Sequence, residues 1–102
     1  MANIGYAPST GTITSVNDTN TSVTILAANR NRKGAAIFND STADLYLALA
    51  DVTASTTNFS VKLGPGDYFE LPVGLDGTVY QGVIRGIWAS DAAGAARVTE
   101  LT

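Results

Sequence analysis

The chain of 102 residues has room for one hydrophobic core and not for a second. Charged residues make up only 15% of it and the net charge is -3, so no field exists that would by itself hold a nucleic acid. Cys and His are both absent, which removes disulfides, thiolate and imidazole catalysis, and nearly every transition-metal site.

Residues 1–10 show neither alternation nor a helical period and are expected to form an extended arm ahead of a single domain over 11–102. A strand is predicted over 12–16, closed by Asn17-Asp18-Thr19-Asn20, whose side chains readily satisfy turn backbone groups. Val23, Ile25 and Ala27 then alternate with Ser22, Thr24 and Leu26, the period of a half-buried strand, until the polar run 29–33 breaks it. A third strand over 35–39 centres on Ile37 and Phe38 and leads into the turn formers Asn39-Asp40-Ser41-Thr42. Leu45, Leu47 and Leu49 alternate with Tyr46, Ala48 and Ala50, which predicts a central strand, apolar on both faces. Leu45, Ala48, Leu49 and Val52 also have helical spacing behind Asp44 as an N-cap, so a helix is the competing reading.

Phe59, Val61 and Leu63 alternate ahead of Gly64-Pro65-Gly66-Asp67, a turn in which Pro fixes φ and Gly accepts a positive one. A short strand over 68–71 stops at Pro72, and Gly77 and Gly82 bound a strand around Val79 and Tyr80. Another strand covers 83–89 with Ile84, Ile87 and Trp88, and Asp91-Ala92-Ala93-Gly94 turns the chain into a last one, 96–101. Eight or nine short strands with turn signals about every 8 to 12 residues indicate an all-β fold. It should be an antiparallel β-sandwich, jelly-roll-like, or a small barrel. The connections are too short for the crossover helices of a parallel sheet.

Arg30-Asn31-Arg32-Lys33 gathers half of the six basic residues into four positions. It reads either as a solvated loop or as an anchor on an acidic protein surface or on phosphates. No aromatic residues interleave with it, which favours a protein partner over nucleic acid. Asp40, Asp44, Asp51, Asp67, Asp76 and Asp91 fall in or beside predicted turns, and Asx turn formation accounts for them better than calcium does, since no D-x-D-x-D-G loop is present. No spacing singles out a carboxylate pair, so no enzyme is expected. The glycines form no phosphate loop, and neither a cofactor nor a metal is expected. Tyr46, Tyr68, Phe69, Tyr80 and Trp88 are candidates for a sugar-stacking face, with core packing as the simpler role. No apolar stretch is long enough to span a membrane. Few Lys and Pro are present to guard sheet edges, which points to edges covered by other copies or by a larger assembly.

The run Arg32-Lys33-Gly34-Ala35-Ala36-Ile37-Phe38-Asn39-Asp40-Ser41-Thr42-Ala43-Asp44-Leu45-Tyr46-Leu47 resembles small structural proteins of tailed bacteriophages and prophages. Tyr68-Phe69-Glu70-Leu71-Pro72, Gly82-Val83-Ile84-Arg85-Gly86-Ile87-Trp88-Ala89 and Ala96-Arg97-Val98-Thr99-Glu100 share the likeness, which covers about residues 22–100. The resemblance implies a virion component made in the bacterial cytoplasm: a capsid decoration or cement protein without enzymatic activity, bound to the major capsid protein or other virion proteins. It further implies a homo-oligomer, a trimer by preference. On that reading Ile4, Tyr6 and Pro8 of the arm reach a neighbouring subunit, and Arg30, Arg32 and Lys33 meet an acidic shell. The alternative is a carbohydrate- or receptor-binding module of a tail, head fibre or baseplate.

Overall fold

The computed structural model describes Pro8 and residues 10–102. Its strands are β1 (Gly11–Asn17), β2 (Val23–Leu26), β3 (Gly34–Ser41), β4 (Leu45–Ala48), β5 (Val61–Leu63), β6 (Tyr68–Glu70), β7 (Ile84–Trp88) and β8 (Gly94–Leu101). β1 pairs with β8, β2 with β7, β3 with β6 and β4 with β5, all antiparallel. That nesting is one long antiparallel ribbon with its tip between β4 and β5. Rolling it up closes two more ladders, β3 with β8 and β4 with β7. The result is two four-stranded sheets, β1-β8-β3-β6 and β2-β7-β4-β5. This is the strand order of an eight-stranded jelly roll, a sandwich of two sheets and not a closed barrel.

Period-two alternation fills the space between the sheets. Ile37 from β3 and Ala96 and Val98 from β8 meet Leu45 and Leu47 from β4 and Ile84 and Trp88 from β7, all of them buried. In β2 the register slips between Thr24 and Leu26, a bulge. Ile25 lies over Gly86, where an added Cβ would come within 2.7 Å of its Cγ1. Burial of this apolar set is the main favourable term holding the sheets together.

The chain at 45–48 is a strand, not a helix, and it is central in its sheet as the alternation predicts. Leu45 and Leu47 enter the core, while Ala48 on the opposite side is also buried. The segment after it runs back to β2, where the Ala54 N–H donates to Ser22 Oγ at 2.9 Å. β3 continues through Asn39 and Asp40 to Ser41, so the turn expected at 39–42 begins later.

The strand expected around Val79 and Tyr80 is not formed, and its backbone shows why. The carbonyls of Tyr80 and Gly82 accept from the Arg32 guanidinium at 3.0 and 2.9 Å, and the Tyr80 hydroxyl donates to the Val83 carbonyl at 2.7 Å. Those groups are no longer offered to a neighbouring strand.

Candidate docking face

The register places four rows of side chains on the outer face of the β1-β8-β3-β6 sheet. Gly11, Leu101 and Gly34 form one row and Ile13, Thr99, Ala36 and Glu70 the next. Ser15, Arg97, Phe38 and Tyr68 follow, and then Asn17, Ala95 and Asp40. Opposite strand positions on one face are direct neighbours, and the register sets Phe38 across from Tyr68. Ile13 is 77% exposed, Tyr68 65% and Phe38 39%. Arg97, the cation among them, is held within the face: its Nε donates to Asp40 at 2.9 Å and its Nη1 to Ser15 Oγ at 3.0 Å. The face thus exposes Ile13, Phe38 and Tyr68 beside an ion pair closed within it, with the exposed Glu70 at its β6 edge.

One end of this face hollows into a groove of about 710 Å³. Small residues make the hollow: Gly34 and Ala36 leave the floor low beside Leu101 and Thr99, and the loop carrying Val73 and Leu75 forms a wall. Val73 is 60% exposed and Leu75 fully so, although both are apolar. The loop is braced by Gly74 N–H to Thr78 O at 2.8 Å and by Asp76, whose carboxylate accepts from Thr78 Oγ1 at 2.8 Å and Thr78 N–H at 3.2 Å. Those hydrogen bonds, the side-chain one first, hold the Asp76 carboxyl below the usual carboxylate range.

The basic cluster is divided by the fold. Arg30 is exposed and Lys33 half-buried beside the groove. Arg32 is 1% exposed and does not reach the surface, a correction to its reading as part of a basic anchor. Its Nε donates to Glu100 at 2.8 Å and its Nη2 to the Ala27 carbonyl at 2.6 Å, in addition to the two bonds to Tyr80 and Gly82. The guanidinium fork thus ties the β2–β3 connection, the segment before β7 and the end of β8 into one knot, which a lysine could not do. Pro8 is exposed and borders the groove, whereas Ile4 and Tyr6 lie outside the described residues.

The five aromatic candidates for a sugar platform do not share a surface. Trp88 is in the core, Tyr80 and Phe69 pack against it, Tyr68 is on the outer face of one sheet, and Tyr46 is on the other sheet, edge-on to Phe59 at 4.9 Å between ring centroids. The aspartates have local partners. Asp67 caps the Gly64 N–H, Asp91 accepts from the Asn20 N–H, and Asp44 and Asp51 pair with Lys62 and Arg85. No three acidic side chains among the described residues converge on one point. Comparison with protein-family models, curated proteins and solved structures finds no match to this chain.

Sequence reasoning missed the outer-face residues Ile13, Phe38, Val73, Leu75 and Leu101 as a group. One signal was present: Leu75 is an apolar residue inside a turn-forming stretch, Gly74-Leu75-Asp76-Gly77, where burial is not expected.

Proposed function

We propose that this protein is a structural component of a virion, a decoration or cement protein that binds the outside of a bacteriophage head and stabilises it without catalysis. The observation that carries this reading is the outer face of the β1-β8-β3-β6 sheet, where Ile13, Phe38 and Tyr68 stand in solvent beside an internally paired Arg97, together with the adjoining groove wall that exposes Val73 and Leu75. Large apolar side chains left in solvent on one side of a small domain are characteristic of protein contact. The likeness of the strand and turn sequences to small phage structural proteins supplies the class of partner. A cement protein needs no chemistry. It adds interface area across neighbouring shell subunits, and many copies make individually weak contacts count through avidity.

In this reading Val73 and Leu75 insert into the shell surface, and Arg30 and Lys33 at the edge of the same region favour an acidic rim there. Heads prepared without this protein provide the test. Added purified protein is expected to bind them at a fixed copy number, and Leu75→Asp combined with Tyr68→Asp is expected to lower occupancy at least tenfold while leaving circular dichroism unchanged. Failure of the wild-type protein to bind such heads, or full occupancy by the double variant, would overturn the reading.

A further inference from the structure

Every open sheet has edges, and the four edges here are unequal. β2 is four residues long and bulged, β5 is three residues long and carries Lys62, and β6 is three residues long and ends on Glu70. Short length, bulges and charges are the usual guards against stray pairing. β1 is seven residues long, has no Pro and no charged side chain, and is exposed on both faces at Gly11, Thr12, Ile13, Thr14 and Ser15. Among the described residues it is the long unguarded edge.

The hydrogen bonds at the two ends of the β1–β8 ladder fix which backbone groups are spent. Thr102 N–H donates to Thr10 O at 2.8 Å, and Asp18 N–H donates to Gly94 O at 3.2 Å. Bonded and non-bonded pairs alternate along an antiparallel ladder. In the observed register Thr12, Thr14 and Val16 therefore bond to β8, while the N–H and C=O groups of Gly11, Ile13, Ser15 and Asn17 point away from it.

We propose that β1 is a self-complementary edge that pairs antiparallel with β1 of a second copy across a twofold axis, joining two four-stranded sheets into one of eight strands. A twofold axis through Thr14 sets Gly11 opposite Asn17 and Ile13 opposite Ser15 of the second copy. All four outward-pointing residues on each side are then bonded, and outer face stays with outer face, because every residue meets one of the same parity. Thr14 faces its own counterpart in a non-bonded pair, an arrangement in which threonines pack well. The occupant is a second copy because the strip is neutral on a molecule of net charge -3, so like charges do not meet along it. A twofold contact is isologous, so it replaces the trimer that the resemblance implies. The inference is independent of the proposed shell binding, since it concerns the purified protein alone.

The chain has no Cys, which allows a direct test by crosslinking. Across the axis the Thr14 Cα atoms would lie about 4.5 Å apart, within disulfide reach. The two Thr12 positions would be separated by four residues of strand, roughly 13 Å, which is beyond it. Mild oxidation of Thr14→Cys is expected to give a covalent dimer, and Thr12→Cys only monomer. In sedimentation the wild-type protein is expected to run as a dimer and Ser15→Pro as a folded monomer, because that proline removes an outward N–H and no bond to β8. A wild-type monomer or trimer, equal crosslinking at both positions, or a dimer abolished by deleting residues 1–9 would overturn the proposal.

Discussion

The indole N–H of Trp88 donates to the side-chain oxygen of Asn39 at 3.2 Å, a hydrogen bond that crosses from one sheet to the other inside the core. Asn39 is fully buried and uses all of its capacity. Its amide nitrogen donates to the carbonyls of Ala43 and Leu63 at 2.8 and 2.9 Å, and its oxygen also accepts from Ser41 Oγ at 2.8 Å. One carboxamide thus ties together the end of β3, the turn into β4, the end of β5 and the indole on β7. A buried polar group satisfied in this way fixes the geometry around it, and removal of one partner leaves the others unpaired.

Asn39→Ala is therefore expected to destabilise the fold by on the order of 3 kcal/mol, and Asn39→Leu, although apolar, to fare no better, since two carbonyls and an indole N–H lose their partner either way. Urea denaturation followed by circular dichroism measures both, and also the variants that lack the one tryptophan. The double variant with Trp88→Phe is expected to be less destabilised than the sum of the single variants, and strict additivity would show that the bond between the two side chains contributes nothing.

Arg32 and Arg30 are two residues apart and should respond in opposite ways. Arg32→Ala strips three carbonyls and Glu100 of their donor and is expected to cost about 3–5 kcal/mol. Arg32→Lys should recover little of that, because a single ammonium cannot reach all four acceptors. Arg30→Ala, on an exposed side chain, is expected to change stability by less than about 0.5 kcal/mol. Thermal melts of the three variants test the assignment, and a mild Arg32→Ala would return that residue to the surface cluster.

The contrast between these arginines marks what local sequence conveys and what it does not. Alternation and turn signals located all eight strands to within a few residues, because a residue's side of a strand is set by its immediate neighbours. The helical spacing of Leu45, Ala48, Leu49 and Val52 lost to pairing with β5 and β7, a contact between distant parts of the chain. The strand expected near Tyr80 failed for the same kind of reason: a guanidinium 48 positions away in sequence takes its carbonyl. Arg30 and Arg32 are alike in composition and differ only in which side of a turn faces Glu100. The exposed outer face was hidden because β1 with Ile13 and β3 with Phe38 share a sheet only after roll-up closes the β3–β8 ladder between them.

Gly94 and Gly66 both have positive φ, yet different costs are expected for their replacement. At Gly94, with φ of 140°, an added Cβ would run into the Asp40 carbonyl oxygen and stand 2.7 Å from Ser41 Cα. At Gly66, with φ of 85°, nothing lies within 4 Å. Gly66→Ala should cost about 1–2 kcal/mol, the conformational term alone. Gly94→Ala should cost clearly more, since β8 cannot keep its register against the end of β3 while yielding that space. Equal denaturation midpoints for the two variants would contradict the close approach.

The groove wall should be sensitive to acid. Asp76 is held below the ordinary carboxylate range chiefly by the Thr78 hydroxyl and then by the Thr78 N–H. A group whose folded value is depressed stabilises the folded arrangement above its unfolded value, and that contribution is lost as pH falls through the folded one. The turn 74–78 is therefore expected to be firm at neutral pH and to loosen below the range where free aspartate titrates. Because Asp76 is solvent-exposed, the change should be confined to the loop that carries Leu75. Carbon-detected NMR of the Asp76 carboxyl reads the titration, and the amide shifts of Gly77 and Thr78 read the loop. In Thr78→Ala the larger of the two hydrogen bonds is gone, so the Asp76 titration should move up toward the ordinary value. An unchanged midpoint in that variant would show that the hydroxyl does not set it.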